Sequence, residues 1–303
     1  MRADATEMAI FVRVVEAGSI AAAARSLRVS PSAVSKRLMQ LENRLAARLL
    51  QRTTRRLSLT EVGEDYYRRC LQILADIREA EAMASGRQRS PTGTLRVSCA
   101  TIVADGLLIP MLPEFMERYR DLRVDLALSD RLTDVVEEGF DLALRIGQTP
   151  NSSLIGKVMA RGHRVLCAAP AYVRSHGLPE SPDELSRHKC LVLASADTTL
   201  NRWPFRGGDH PIGMQVAGHF TASTGAALYR AALAGLGIAR VTTVVAAKDF
   251  REDRLVRVLP DFDAADEAPL CALYPSRRHV AAKLRVFLDF LTERLRKVSV
   301  EAP

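Results

Sequence analysis

No uninterrupted apolar stretch in this 303-residue sequence approaches the ~18 residues that a membrane-spanning helix requires, so no membrane partner is expected. An export signal is missing as well. The first apolar run, Met8 to Val12, is only five residues long before Arg13, and Glu16 interrupts the next one. The expectation is a protein of the cytoplasm. Five cysteines, at positions 70, 99, 167, 190 and 271, form no C-x-x-C pair and no ligand spacing with the six histidines. That argues against a structural zinc, any other metal site or a disulfide framework. Nothing local marks Cys167 or Cys190 as a thiol of lowered pKa, so redox sensing through cysteines stands only as an alternative. The G-x-S-x-G elbow, the P-loop and H-E-x-x-H are all absent, and the histidines make no nucleophile arrangement. The sequence therefore points to no enzyme, no catalytic residues and no cofactor.

What is present organises itself around Ser19 to Leu45, SIAAAARSLRVSPSAVSKRLMQLENRL. Ser19 can cap a helix whose body, Ile20 to Leu27, is mostly alanine, the best helix former. Arg28 and Val29 break the pattern. Ser30 then supplies a second N-cap, and Pro31 takes the first helical position, where its missing N–H costs nothing. In the second helix Val34, Leu38, Leu41 and Leu45 recur on one buried stripe, with Ser32, Lys36, Gln40 and Asn43 opposite. Two short helices about a three-residue corner, the second with a polar and cationic outer face, are the helix-turn-helix geometry that enters a DNA major groove.

The longer stretch from Phe11 to Glu64, FVRVVEAGSIAAAARSLRVSPSAVSKRLMQLENRLAARLLQRTTRRLSLTEVGE, resembles the winged helix-turn-helix domain of LysR-type transcriptional regulators nearly position for position. Ala23-Ala24, Val34-Ser35-Lys36, Leu41-Glu42, Arg52 and Leu59-Thr60-Glu61-Val62-Gly63 stand where that family has them. Arg28 and Ala46 replace glycines common in the family, which predicts strain wherever those corners need a positive φ. Carried onto this chain, the resemblance implies a DNA surface of Ser19, Pro31, Ser32, Ser35, Lys36 and Arg37, with Arg55 and Arg56 on the wing. Its partner is double-stranded promoter or operator DNA.

Charge shows the same division. Residues 1 to 90 hold 16 Lys or Arg against 10 Asp or Glu, while the other 213 residues contribute only a net +2 of the total +8. Leu49 to Arg52 and Arg56 to Leu59 read as two strands around a basic tip, the wing, and between Arg25 and Thr60 nine cations face one acid, Glu42. From Thr60 a helix is predicted to about Arg87. Tyr66, Cys70, Ile73, Ile77, Ala80 and Ala84 form a heptad seam along it, which the resemblance makes a dimerising linker in a homodimer or homotetramer. The domains expected are 1–60 (winged helix-turn-helix), 61–90 (linker helix) and 91–303.

Beyond residue 90 short apolar runs alternate with amphipathic helices. Leu95 to Ala100, Val124 to Ser129 and Asp141 to Ile146 read as strands of a mainly parallel sheet, and Gly106 to Arg120 and Leu132 to Glu138 as helices. A second unit runs through His163 to Pro170, Cys190 to Ala194, His219 to Ala222 and Gly237 to Val241, with a helix over Gly225 to Ala234. A last strand over Leu270 to Tyr274 and a last helix over Val280 to Arg296 return to the first unit. EEGFDLALRIG, AGLGIARVTTVVA and LVRVLPDF resemble the LysR effector-binding domain. The fold class expected is α+β and α/β: an N-terminal winged helix-turn-helix, a long linker helix, then a two-lobed, periplasmic-binding-protein-like α/β effector domain. Its lobe I covers about 91–162 and 266–303, and lobe II about 163–265.

Ligands of open α/β sheets sit outside the carboxyl ends of the strands. Here those ends offer Ala100, Thr101, Ile102, Ser129, Arg145, Ser223 and Thr224, a set of hydroxyls, N–H groups and an arginine suited to a small carboxylate as small-molecule effector. Trp203 and Phe205 read as a loop anchor. The function expected is a sequence-specific transcriptional regulator tuned by that effector; a purely architectural DNA-binding protein without an effector is the other alternative.

Overall fold

The computed structural model describes residues 5–52, 57–84, 91–131, 135–136, 138–147, 154–194, 201–206, 213–275 and 280–300. The chain divides into two compact units, Met1–Ser90 and Pro91–Pro303.

The first unit opens with α1 (Ala5–Ala17), α2 (Ile20–Leu27) and α3 (Pro31–Leu45). Local chemistry explains each boundary. The Ser19 hydroxyl accepts the Ala22 N–H and the Ser30 hydroxyl accepts the Ala33 N–H, satisfying donors that a helix start leaves open. At the other ends Arg28 and Ala46 sit in the left-handed region at φ 55° and 50°. Each N–H there, with that of the next residue, closes onto carbonyls of the last turn, the Schellman arrangement that favours glycine. The strain expected at these two corners is present. Ala46→Gly should therefore stabilise the winged unit by roughly 1 kcal/mol, since glycine carries no Cβ penalty there. A urea midpoint that does not rise would mean the corner relaxes without help.

Strands β1 (Leu50–Arg52) and β2 (Leu57–Leu59) pair antiparallel, Leu50 opposite Leu59. Then α4 runs Glu61–Ala84. Phe11, Val34, Leu38, Leu41, Leu49, Cys70 and Leu74 share one core. The heptad seam does not survive as a single surface. Cys70 is fully buried in this core, and the Tyr66 ring lies 5.5 Å from that of Phe11, whereas Ile73 is 40% exposed and Ile77 half-buried. The first turns of α4 complete the winged unit, so they cannot also offer that stripe to a partner. The side chains of Ala80 and Ala84 lie outside the described set.

The second unit has two lobes. In lobe I, β3 (Gly93–Cys99) leads into a helical stretch of α5 (Thr101–Val103), a π-turn over Ala104–Leu108 and α6 (Ile109–Arg118). Strands β4 (Leu122–Leu128), β5 (Leu142–Ile146) and β6 (Leu154–Ala160) come next. Lobe II holds β7 (Arg164–Ala168), α7 (Pro170–His176), β8 (Cys190–Leu193), β9 (Arg202–Trp203), β10 (Met214–Gln215), β11 (Gly218–Ala222), α8 (Gly225–Leu233), β12 (Ala239–Thr242), α9 (Thr243–Arg251) and β13 (Val256–Val258). The chain returns through β14 (Leu270–Pro275) and ends in α10 (Ala282–Val300).

The lobe I sheet has the order β4-β3-β5-β14-β6. Strands β4, β3, β5 and β6 run in one direction, and β14 lies antiparallel between β5 and β6. The sheet is thus mainly parallel, as expected, with β14 alone reversed where the chain returns from lobe II. Of the helix expected over 132–138, residues 132–134 and 137 lie outside the described residues, and the described ones, 135–136 and 138, are in turns rather than helix, with Gly139 after them at φ 68°. In lobe II, β12, β7 and β13 are antiparallel, β11 pairs parallel with β8, and a bridge from Cys190 to Ile238 joins the two sets. Two passes of chain connect the lobes side by side: the Ala268 N–H donates to the Gly162 carbonyl and the Arg164 N–H to that of Asp266.

Candidate functional site

The candidate reading surface on the first unit arises from the caps and stripe of α3. With Val34, Leu38 and Leu41 buried, the outer face presents Pro31, Ser32, Lys36, Arg37 and Gln40, all exposed, with Ser35 half-buried at its edge. Ser32 lies 3.0 Å from the capping Ser30, hydroxyl to hydroxyl. Ser19 is exposed at the start of α2. Arg55 and Arg56 lie outside the described residues. Arg25, Arg28 and Arg48 are also exposed on this unit; the sequence reading counted them among the local cations without assigning them to the DNA surface. Glu42, the one acid of the region, faces inward. Its carboxylate accepts the N–H groups of Leu49 and Leu50 at 2.8 and 3.1 Å, tying the end of α3 to the wing. Hydroxyls, amides and cations on a helix exposed along its length can bond both phosphates and base edges.

In the second unit the expected effector residues divide. Thr101 stands at the start of α5, with its N–H donating to Asp130 at 2.7 Å and its hydroxyl donating to the same oxygen. The other Asp130 oxygen accepts the N–H of Gly225 at 3.1 Å, the first residue of α8. Thr224 caps α8 by accepting the Ala227 N–H, and Ser223 is exposed beside it. Ile102 faces Gly225 across the lobes. These residues come together. Ala100 is buried, its N–H donating to the Leu144 carbonyl, and the Ser129 hydroxyl accepts the Arg131 N–H.

Arg145 does not join them at the surface. It is 7% exposed and donates to the Ser98 hydroxyl at 2.7 Å and to the carbonyls of Leu144 and Arg131. Burial lowers its guanidinium pKa against the pull of nearby acidic groups. It braces the 129–131 loop from beneath. The residue that sequence reasoning passed over is Asp130. Its place at a strand end was visible, but a carboxylate is a poor candidate contact for an anionic ligand.

The chain matches the family described as bacterial regulatory helix-turn-helix protein, lysR family, over residues 5–64, and that described as LysR substrate binding domain over residues 88–296. This chain belongs to the LysR family of transcriptional regulators. It is 37% identical over 296 residues to the HTH-type transcriptional regulator CrgA of Neisseria meningitidis serogroup C, covering 97% of this chain and 98% of that one. It is 33% identical over 287 residues to the HTH-type transcriptional activator TtdR of Escherichia coli K12, covering 95% and 92%. The solved structure of CrgA superposes with a TM-score of 0.64 at 36% identity, over 97% of this chain and 99% of that one. Full-length AphB, the Vibrio cholerae virulence activator, gives 0.57 at 28%, over 96% and 99%.

As a LysR-type regulator the chain has a DNA-binding head and an effector-binding domain, in a family that binds DNA and small molecules and forms oligomers. Its cysteines give little support to the redox alternative. All five are buried free thiols. Burial raises every one, Cys70 and Cys190 to about 11 and Cys99 and Cys167 to about 12, which leaves almost no thiolate near neutral pH. Trp203 is buried in the outer core of lobe II. Beside it Arg164 and Arg240 pair with Asp266, and Arg257 with Asp263, around a cavity of about 20 Å³, room for about one water. Among the described residues no cluster fit for a metal ion occurs and no helix is long and apolar enough to cross a membrane.

Proposed function

We propose that this LysR-type regulator works in the cytoplasm as a homodimer or homotetramer, reads an interrupted palindrome with α3 in the major groove, and changes its grip when a small carboxylate enters between the lobes of its second unit. Lys36 is the base-reading cation; Pro31, Ser32, Ser35 and Arg37 flank it, Ser19 meets the backbone, and Arg55 and Arg56 take the wing to phosphates. One observation carries this reading: α3, opposite the buried Val34, Leu38 and Leu41, exposes Ser32, Lys36, Arg37, Gln40 and Asn43. The effector reading is supported by the convergence of the Thr101 and Gly225 N–H groups on one point between the lobes, with Thr224 capping the helix that Gly225 opens.

Lys36→Ala tests it. Because Lys36 is exposed and holds no part of the core, the variant should fold as the parent does. Losing one base contact should cost about 1–3 kcal/mol on the cognate site and relax preference at one position of each half-site. Electrophoretic mobility shifts on cognate and scrambled operators separate the possibilities. An equal loss on both sequences would reduce Lys36 to a phosphate contact.

A further inference from the structure

The carboxylate of Asp130 uses both of its oxygens, and it uses them on opposite lobes. One accepts the N–H and hydroxyl of Thr101 in lobe I, and the other the N–H of Gly225 in lobe II. Both N–H groups open helical stretches, where backbone donors lack partners within the helix and carry partial positive charge. We infer that Asp130 is an interlobe latch: a built-in carboxylate that holds the two lobes closed by occupying the donors at the starts of α5 and α8.

Three features make the residue suited to that part. Its loop is fixed, since Arg145 grips the Arg131 carbonyl from the buried side and Ser129 accepts the Arg131 N–H. A second tie stands farther along α8, where Arg230 reaches Asp105 of lobe I at 2.7 Å; releasing Asp130 thus loosens the lobes without parting them. Asp130 is itself exposed, so water can replace its bonds and the latch can open reversibly, unlike a buried pair. At the crossover behind it the lobes remain tightly packed, because a Cβ on Gly106 would come within 2.7 Å of Val245. Motion of the latch is therefore a change of cleft aperture about a fixed base.

The inference rests on the proposed effector reading in one respect only: a carboxylate entering the cleft has to take these donors from Asp130. The latch itself is tested on the full chain without DNA and without any effector. In Asp130→Asn, one oxygen can still accept from Thr101 while the new NH2 group opposes the Gly225 N–H. Hydrogen exchange should then quicken about tenfold or more at Gly225, as expected for loss of a charge-assisted bond, while Thr101 stays protected. In Asp130→Ala both bonds go. The melting temperature of the second unit should fall by roughly 2–6 °C, and formate should restore much of the loss where chloride at equal ionic strength does not. Formate should leave the parent unmoved, because Asp130 already fills the place. If Asp130→Ala fails to fold, the exchange measurement on Asp130→Asn decides alone. Unchanged exchange at Gly225, or a formate shift as large in the parent as in Asp130→Ala, would overturn the latch. Either result leaves the effector reading to be judged by its own ligand.

Discussion

Gly63→Ala is expected to unfold the winged unit and abolish DNA binding, while the second unit keeps its own melting transition. A Cβ at position 63 would sit 2.0 Å from the carbonyl oxygen of Leu49 and 2.9 Å from its carbon. The obstacle is backbone, so no rotamer change can relieve it. Nor can the carbonyl swing away, because it accepts the Thr60 N–H at 3.0 Å, and the Leu49 side chain is fully buried. Thr60 adds a further constraint, its hydroxyl donating to the Arg48 carbonyl and accepting the Gly63 N–H at 2.9 Å. The start of α4 is thereby pressed onto the strand that begins the wing. Overpacked sites cost about 1–3 kcal/mol and sometimes more, and ~3 kcal/mol is a large part of the stability of a domain this small. Calorimetry should show the transition of the winged unit lost and that of the second unit retained. Parental operator affinity in Gly63→Ala would mean that α4 and the wing do not approach this closely.

The second large effect is expected in lobe I. Asp141 and Lys283 form a pair 2.7 Å apart whose side chains are 7% and 12% exposed. Asp141 also accepts the Arg96 N–H at 2.8 Å, and Lys283 donates to the Thr94 carbonyl at 2.7 Å. The pair pins α10, the last helix, to β3 and to the start of β5. Asp141→Ala leaves a buried ammonium with one neutral partner and an amide with none, which should cost about 3–5 kcal/mol. The charge left behind causes most of that loss. Asp141→Leu combined with Lys283→Met should accordingly cost much less than the sum of the two single changes. Urea unfolding of the second unit, measured across this cycle, reads the coupling. Additive losses would show that the two side chains do not depend on each other.

The family motifs acquire physical reasons from these contacts. In EEGFDLALRIG the Asp141 side chain anchors α10, and Arg145 braces the loop that carries Asp130. In LTEVG, Thr60 caps a helix and Gly63 permits a close approach. The sequence alone could place these residues in a pattern but could not say what each one touches.

Read from residues alone, the first sixty positions were the clearest part of the chain. Serine caps, a proline at the first helical position, left-handed corners and a buried stripe all arise from interactions a few residues apart. The helix-turn-helix, the strain at Arg28 and Ala46 and the polar face of α3 were determined there. The tertiary structure alone decided which way β14 runs, since strand direction depends on how the chain returns from lobe II. It also split the α4 seam, because Cys70 and Tyr66 could not be assigned to core or partner until α1 was packed against them. Above all it gave Asp130 its place. The two donors that carboxylate joins are 29 and 95 residues away from it in the chain, and no periodicity links groups brought together only by the closing of two lobes.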